Sequence, residues 1–409
     1  MGKSPVRGLI AAFLLSIGSP VHAVSPEQAE KAIQAFNKAY WNAPGKYFYK
    51  LDNKTGVLDF WMSAHVWETL MDAYVLTGKA EYKQQIKDMY DGFVARNGSD
   101  WTTNDYNDDI MWWVLAATRA YDITGEARYL TQAKTHFDWI YRNQRDTVLG
   151  GGIWWKNTEH NQKNSCVVQP AIISAANLAR LLKDDGYRVK AESLYAWQKR
   201  TLVDPAGGKV YDAISSQRVV SKGSTTYNQG TFIGSAVALG RIAEAQKAAD
   251  WTKANMCNAA GVLRNEGQGD FGTFKLILIR YVMGLSRQKG GEACAAWMAD
   301  NGAAVWANRR SADDVMGFDW ANPAPAAGIE CQSAAGGVAL LNLLAAPVVS
   351  ITPLAGRAAR PVGPSFRFPG AYPGAAAPFL MSAEGFRGAD GRFQSAPACA
   401  RISCTNSIP

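Results

Sequence analysis

The sequence predicts an all-α fold, a closed ring of six helical hairpins, on the strength of three observations. A segment repeats, apolar residues keep helical spacing through most of the chain, and tight turns alternate with long loops. The repeat is Tyr74-Val-Leu-Thr-Gly-Lys-Ala-Glu-Tyr82, which returns as Tyr121-Asp-Ile-Thr-Gly-Glu-Ala-Arg-Tyr129, displaced by 47 residues. In each copy a helix ends at the Thr-Gly, where glycine can take the left-handed cap conformation. A new helix then starts almost at once, and Glu81 to Val94 and Arg128 to Ile140 keep apolar residues at helical spacing. A period in the forties with two helices per unit indicates stacked helical hairpins.

Counting outward from this pair gives about twelve helices. The first opens with Ser25, Pro26 and Gln28, a capping-box arrangement with proline at the first helical position. The others run near 59–76, 79–96, 108–123, 127–142, 165–183, 187–202, 228–246, 247–257, 272–286, 290–307 and 331–345. Long polar and glycine-rich connections lie at 97–107, 144–164, 203–226, 258–271 and 309–330. Short turns at one end and long loops at the other suit a closed ring, in which the long loops gather on one face and build the site. An open helical solenoid is the structural alternative.

The two ends of the 409-residue chain differ from its middle. Lys3 and Arg7, the apolar Leu9 to Ile17 and the small-residue end Val21-His22-Ala23 read as a signal peptide over 1–23, so the protein is expected to be secreted, periplasmic or on the cell surface. The run is too short to span a bilayer, and the apolar stretch Ala334 to Val349 reads as a helix of the fold, so no membrane span is expected. Residues 24–345 form the predicted domain. Beyond them, 346–409 are rich in Pro, Ala, Gly and Arg with no surviving period, the composition of a disordered tail.

The net charge of +8 includes two cations of the leader and six tail arginines set against two tail acids, which leaves the middle at about +2. A nucleic-acid binder concentrates its cations on the folded domain, so that class is excluded. Six cysteines in an exported chain permit disulfides, and with no CxxC pair a zinc site is not expected. The histidines form no HExxH, no GxSxG elbow is present, and no glycine-rich phosphate loop follows a strand. Acid and base chemistry therefore falls to carboxylates, with no metal and no cofactor.

The sharpest feature is Tyr106-Asn107-Asp108-Asp109-Ile110-Met111-Trp112-Trp113. Two acids at a helix start serve as capping groups in the helix dipole. They also end a polar, aromatic loop on the expected active face, and two carboxylates at a helix entry can sit at the roughly 5 Å separation a retaining glycosidase uses. Gly150-Gly-Gly-Ile-Trp154-Trp155-Lys156-Asn157, with Asn164 close behind, offers a stacking platform and glycines that admit a ligand. Tyr227, Asn228 and Gln229 open another helix with the neutral donors and acceptors that sugar hydroxyls need. The 14 Trp and 16 Tyr against 15 Phe suit stacking on sugar rings, although large helical cores use Trp too.

The run from Tyr106 through Tyr129, the Gly-Gly-Ile-Trp-Trp segment, Tyr227-Asn-Gln-Gly, and Phe274-Lys275 with Arg280-Tyr281 resemble glycoside hydrolase family 76, the endo-acting α-1,6-mannanases, over about Ala32 to Ala345. The resemblance implies an (α/α)6 barrel, retention of configuration, Asp108 as nucleophile and Asp109 as acid/base. Trp61, Asn107, Trp154, Trp155, Asn164, Tyr227, Asn228, Gln229 and Lys275 are the substrate-binding residues expected from it. The expected partner is α-mannan, acted on by a monomer. The rivals are another (α/α)6 carbohydrate enzyme, such as an unsaturated glucuronidase or a lyase, and a mannan-binding or transglycosylating wall protein.

Overall fold

The computed structural model describes residues 24–346. The signal peptide expected at 1–23 and the tail expected over 346–409 therefore lie outside the described residues, Ala346 apart. Twelve α-helices are found among the described residues: α1 Pro26–Tyr40, α2 Phe60–Thr77, α3 Ala80–Asn97, α4 Asn107–Thr124, α5 Ala127–Asn143 and α6 Ser165–Leu182, then α7 Asp185–Leu202, α8 Thr226–Ala238, α9 Ile242–Asn255, α10 Asp270–Ser286, α11 Ala293–Ala307 and α12 Cys331–Ala345.

The even-numbered helices form an inner ring. Each packs on the next, and α12 returns to pack on α2. That closure makes the fold an (α/α)6 barrel and excludes the open solenoid. The odd-numbered helices lie outside: α3 on α2, α5 on α4, α7 on α6, α9 on α8, α11 on α10 and α12, and α1 on α12 and α2.

Position in the ring explains the sequence patterns. An inner helix meets protein on all sides, and α2 buries every residue from Trp61 to Ala73. An outer helix buries one stripe, as α5 does with Tyr129, Ala133, His136, Phe137 and Ile140. By length and composition α6 could cross a membrane, but most of it is buried as a core helix of the ring. Aromatics fill the space between the layers. Phe93 stacks on Trp113 with ring centroids 3.6 Å apart. The indole N–H groups of Trp67 and Trp113 donate to the carbonyls of Ile86 and Phe60, each at 2.8 Å. Much of the tryptophan content is therefore core.

The two Thr-Gly repeats end α2 and α4 with Gly78 and Gly125 in the left-handed region (φ 65° and 74°), their N–H groups bonded back to Tyr74 and Tyr121. The expected helix over 228–246 is a correction: α8 stops at Ala238 because Gly240 takes φ 72° and reverses the chain into α9. The long connections hold short strands that sequence periodicity did not reveal. Those named β1 (Trp41–Asn42) and β2 (Tyr47–Phe48) pair in the loop before α2. A three-stranded antiparallel patch joins β3 (Gln162–Asn164), β4 (Ala213–Ser215) and β5 (Val220–Ser221). Cys257, Cys294 and Cys331 are free thiols.

Inside the ring, a buried ion cluster ties three inner helices together. Glu68 and Asp72 of α2 face Arg119 of α4 and Arg280 of α10, with Arg280 at 3.2 Å from Glu68 and 3.0 Å from Asp72. Burial alone would raise the Glu68 carboxyl, but Arg280, His65 and Arg119 together hold it down to about 2.

Candidate active site

Every inner helix starts from a long loop, and α2, α4, α6, α8 and α10 end in a short connection, so the inner N-termini gather at the long-loop end. There a cleft of about 400 Å³ opens, lined by Trp61, Asp108, Trp112, Trp155, Cys166, Tyr227, Asp270, Phe274 and Ile277. Trp61, Asp108, Cys166 and Tyr227 are each the second residue of an inner helix, and Asp270 is the first of α10. A first-turn side chain beside a helix N-terminus points along the free N–H groups, where a carboxylate is favoured by the dipole. Trp112 stands one turn after Asp108, and Phe274 one turn after Asp270 on the same helix face. The result is an aromatic groove carrying two carboxylates from opposite sides of the ring, α4 and α10.

Asp109 sits in the same first turn as Asp108 but is only 1% exposed. Asn104 donates its amide N–H to Asp109 Oδ2 at 3.1 Å, fixing that carboxyl from the preceding loop. The loop itself is zipped to the Gly-Trp-Trp segment. Asn157 N–H donates to Asp105 O at 2.8 Å, Asn157 Nδ2 to Asn104 O at 2.8 Å, and Asn107 N–H to Trp155 O at 2.8 Å. This zipper sets the half-buried Trp155 beside Asp108.

Other expected site residues hold the wall rather than face the cleft. Asn107 is fully buried and donates to Trp154 O at 2.9 Å. The Trp154 ring lies against His160 (centroids 5.0 Å, planes 3° apart), its indole N–H bonds to Asp146 at 2.8 Å, and Lys163 sits 4.3 Å from its centre. Asn164 is buried at the end of β3, where it pairs with Ala213 and precedes α6. Asn228 closes a capping box, its Oδ1 accepting from Thr225 N–H at 2.8 Å, and it donates to Asp212 at 3.2 Å. Gln229, with its amide turned to satisfy both ends, bonds Gly208 O and Val210 N–H. Lys275 is buried under Phe318 O and 4.5 Å from the Trp320 ring, and burial pushes its ammonium down to about 8 against the pull of Glu266 and Asp319.

Two glycines of the 150 loop, Gly151 and Gly152, pack against Trp197, whereas a Cβ on Gly150 would meet nothing. A Cβ on Gly152 would meet the Trp197 ring at 2.6 Å, and the residue takes φ 81°. Lys163 draws the same turn together, donating to Asp146 at 2.6 Å, Val148 O at 2.8 Å and Gly151 O at 2.7 Å.

Two carboxylates outside the sequence-derived set hold the start of α8. Asp212 accepts from the Tyr227 hydroxyl, and Glu266 accepts from the Thr226 N–H at 3.1 Å and from its hydroxyl. The Tyr227 ring leans on Phe274 with centroids 4.7 Å apart, so its face is fixed toward the cleft. Trp112, Cys166, Asp270, Phe274 and Ile277 also line the cleft without having been singled out as ligands.

Comparison with known proteins agrees with this arrangement. The family model described as Glycosyl hydrolase family 76 matches residues 25–350. Among solved structures, the α-1,6-mannanase of Salegentibacter sp. is 30% identical, with a TM-score of 0.73 over 78% of this chain and 98% of that one. An inactive variant of that enzyme, with two consecutive aspartates replaced, is solved with α-1,6-mannotriose and is 29% identical. The Lin0763 protein of Listeria innocua is 27% identical, with a TM-score of 0.72 over 78% of this chain and 96% of that one. The comparison with curated proteins gives no match. With a barrel closed by its inner helices, a carboxylate-bearing aromatic cleft at their N-termini and a family match spanning the whole described domain, the chain belongs to glycosyl hydrolase family 76.

Proposed function

We propose that this glycoside hydrolase is an exported endo-acting α-1,6-mannanase that cleaves mannan backbones with retention of configuration. One observation carries the reading. The chain has three consecutive aspartate pairs, Asp108–Asp109, Asp184–Asp185 and Asp313–Asp314, and only the first reaches the aromatic cleft. Asp184 and Asp185 are exposed at the turn end, and Asp313 and Asp314 are engaged by Arg310, Arg309 and Lys31. The Salegentibacter variant that lacks a consecutive aspartate pair is the inactive one solved with mannotriose.

In this reading Asp108, which lines the cleft, attacks the anomeric carbon, and Asp109 donates a proton to the leaving oxygen and later takes one from water. Adjacent acids can divide those roles because ionising one raises the proton affinity of the other. Trp61, Trp112, Trp155, Tyr227 and Phe274 supply apolar faces for the sugar rings, and the scarcity of basic side chains in the lining favours a neutral polysaccharide. Export rests on the leader-like residues 1–23.

The test is incubation of the mature protein with linear α-1,6-mannan, with product sizing and proton NMR of the first products. Short α-configured manno-oligosaccharides are expected, and β-1,4-mannan should be left intact. Mannose as the sole initial product would exclude endo action, β-configured first products would exclude retention, and products longer than the substrate would identify transfer in place of hydrolysis.

A further inference from the structure

The barrel holds a second, larger cavity at the opposite end, where the inner helices turn outward. It measures about 1310 Å³, opens to solvent, and takes side chains from all six inner helices. Its wall is largely apolar, with Val75, Leu115, Ile123, Ile173, Val237 and Leu343. Four arginines interrupt that wall: Arg119, Arg180, Arg280 and Arg287.

Cations near helix C-termini are ordinary, because the dipoles leave partial negative charge there. Three of these arginines are also matched by carboxylates. Arg119 and Arg280 belong to the Glu68–Asp72 cluster, and Arg180 makes a two-pronged pair with Asp122 at 2.9 and 2.8 Å. Arg287 differs. Among the described residues its one hydrogen bond goes to Leu343 O at 2.9 Å and it makes no close ion pair, with Asp72 acting on it only from a longer distance. Tyr281 lines the same wall, and Nε of Arg280, whose side chain is 8% exposed, has no partner among the described residues. An unmatched donor beside a guanidinium in an apolar chamber is the feature of a site that fixes one anionic group and encloses a nonpolar body.

We propose that this chamber is a second ligand site, separate from the catalytic cleft, for a small organic anion with an apolar body, its anionic group bound by Arg287 and Tyr281. The proposal is independent of the substrate assigned to the cleft. It is tested on the full mature chain with the fluorescent probe 8-anilino-1-naphthalenesulfonate and its uncharged analogue N-phenyl-1-naphthylamine. The sulfonate should bind saturably, one per chain, to protein that melts cooperatively, and excess α-1,6-mannotriose should not displace it. Arg287→Gln should weaken the sulfonate about tenfold or more and leave the neutral probe within about twofold. Ala238→Phe, which adds bulk to the chamber wall at the end of α8, should weaken both. Displacement by mannotriose would place the probe in the cleft and overturn the proposal. Affinity unchanged in both variants would overturn it as well. So would binding that appears only after removal of 347–409, since the chain itself would then be the occupant.

Discussion

Replacing each aspartate of the pair by asparagine separates chemistry from helix capping by magnitude. Both residues lie in the first turn of α4, where a carboxylate contributes about 0.3–1 kcal/mol through the helix dipole. Asparagine keeps the shape, and at Asp109 its side-chain oxygen can still accept from Asn104, so the loss there is about 1 kcal/mol or less. The structural cost is therefore at most about 2 kcal/mol, or a few degrees of melting temperature. A catalytic role predicts a far larger effect: loss of about 10³-fold or more on mannan, which is about 4 kcal/mol of transition-state stabilisation. The assay pairs steady-state kinetics on α-1,6-mannan with thermal melts of the same samples. An aryl mannoside with a good leaving group then assigns the roles. Asp109→Asn should retain partial activity on it and yield a mannosyl azide of retained configuration when azide is added, because only proton donation was lost. Asp108→Asn should stay inactive or give the inverted azide. Near-normal mannan hydrolysis by both single variants would reduce the pair to a helix cap and refute the assignment.

The adjacent tryptophans should behave oppositely. Trp155→Ala is expected to raise KM on mannan several-fold with little change in melting. Trp154→Ala should cost about 3–5 kcal/mol of stability, since its 3% exposed ring is packed and hydrogen-bonded inside the wall. Arg280→Met should cost about 3–5 kcal/mol in urea unfolding at pH 7 by leaving the buried Glu68 and Asp72 with Arg119 as their one remaining guanidinium, whereas Arg180→Met, at an exposed pair, should cost less than about 1 kcal/mol. Equal effects of the two arginine changes would show that the buried cluster is not a clamp. Acid should unfold the barrel in a defined order of titrations. His65 is held neutral by burial, below its ordinary 6.5, so the unfolded chain binds its proton first and stability begins to fall below that pH. Glu68, depressed to about 2 from 4.5, contributes stability above 4.5 that is lost as pH falls toward 2. Calorimetry from pH 7 to 3 checks this, and a melting temperature flat across that window would contradict it.

The ring was legible because its two signals are local. The Thr-Gly caps mark the tight turns at Gly78 and Gly125, and one-sided versus all-round burial separates α5 from α2 in sequence as in space. Where a turn lacked that signature, reading failed. The α8–α9 reversal at Gly240 sits inside an apolar run, so helical spacing carried across it. Strands of two or three residues, such as β4 and β5, are too short to show alternation, and the pairing of β4 with β3 depends on contacts across about fifty residues.

At the site, composition identified the right loops but could not say which way each side chain points. Trp154 and Trp155 are neighbours of the same type, yet the bridges of Trp154 to Lys163 and of Lys156 to Tyr106 run the segment as extended chain, and successive side chains then face opposite sides. One joins the wall and the other the cleft. The same division explains Asn228 and Gln229 behind Tyr227: at a helix start, three consecutive residues span most of a turn, so only one can face a given direction. What periodicity could have supplied is Trp112, four residues after Asp108, and Phe274, four after Asp270, since each pair shares a helix face. The adjacency that separates Tyr227 from Asn228 also separates Asp108 from Asp109. One carboxyl of the pair lines the cleft while its neighbour is buried against Asn104, and that asymmetry gives two chemically identical residues different environments.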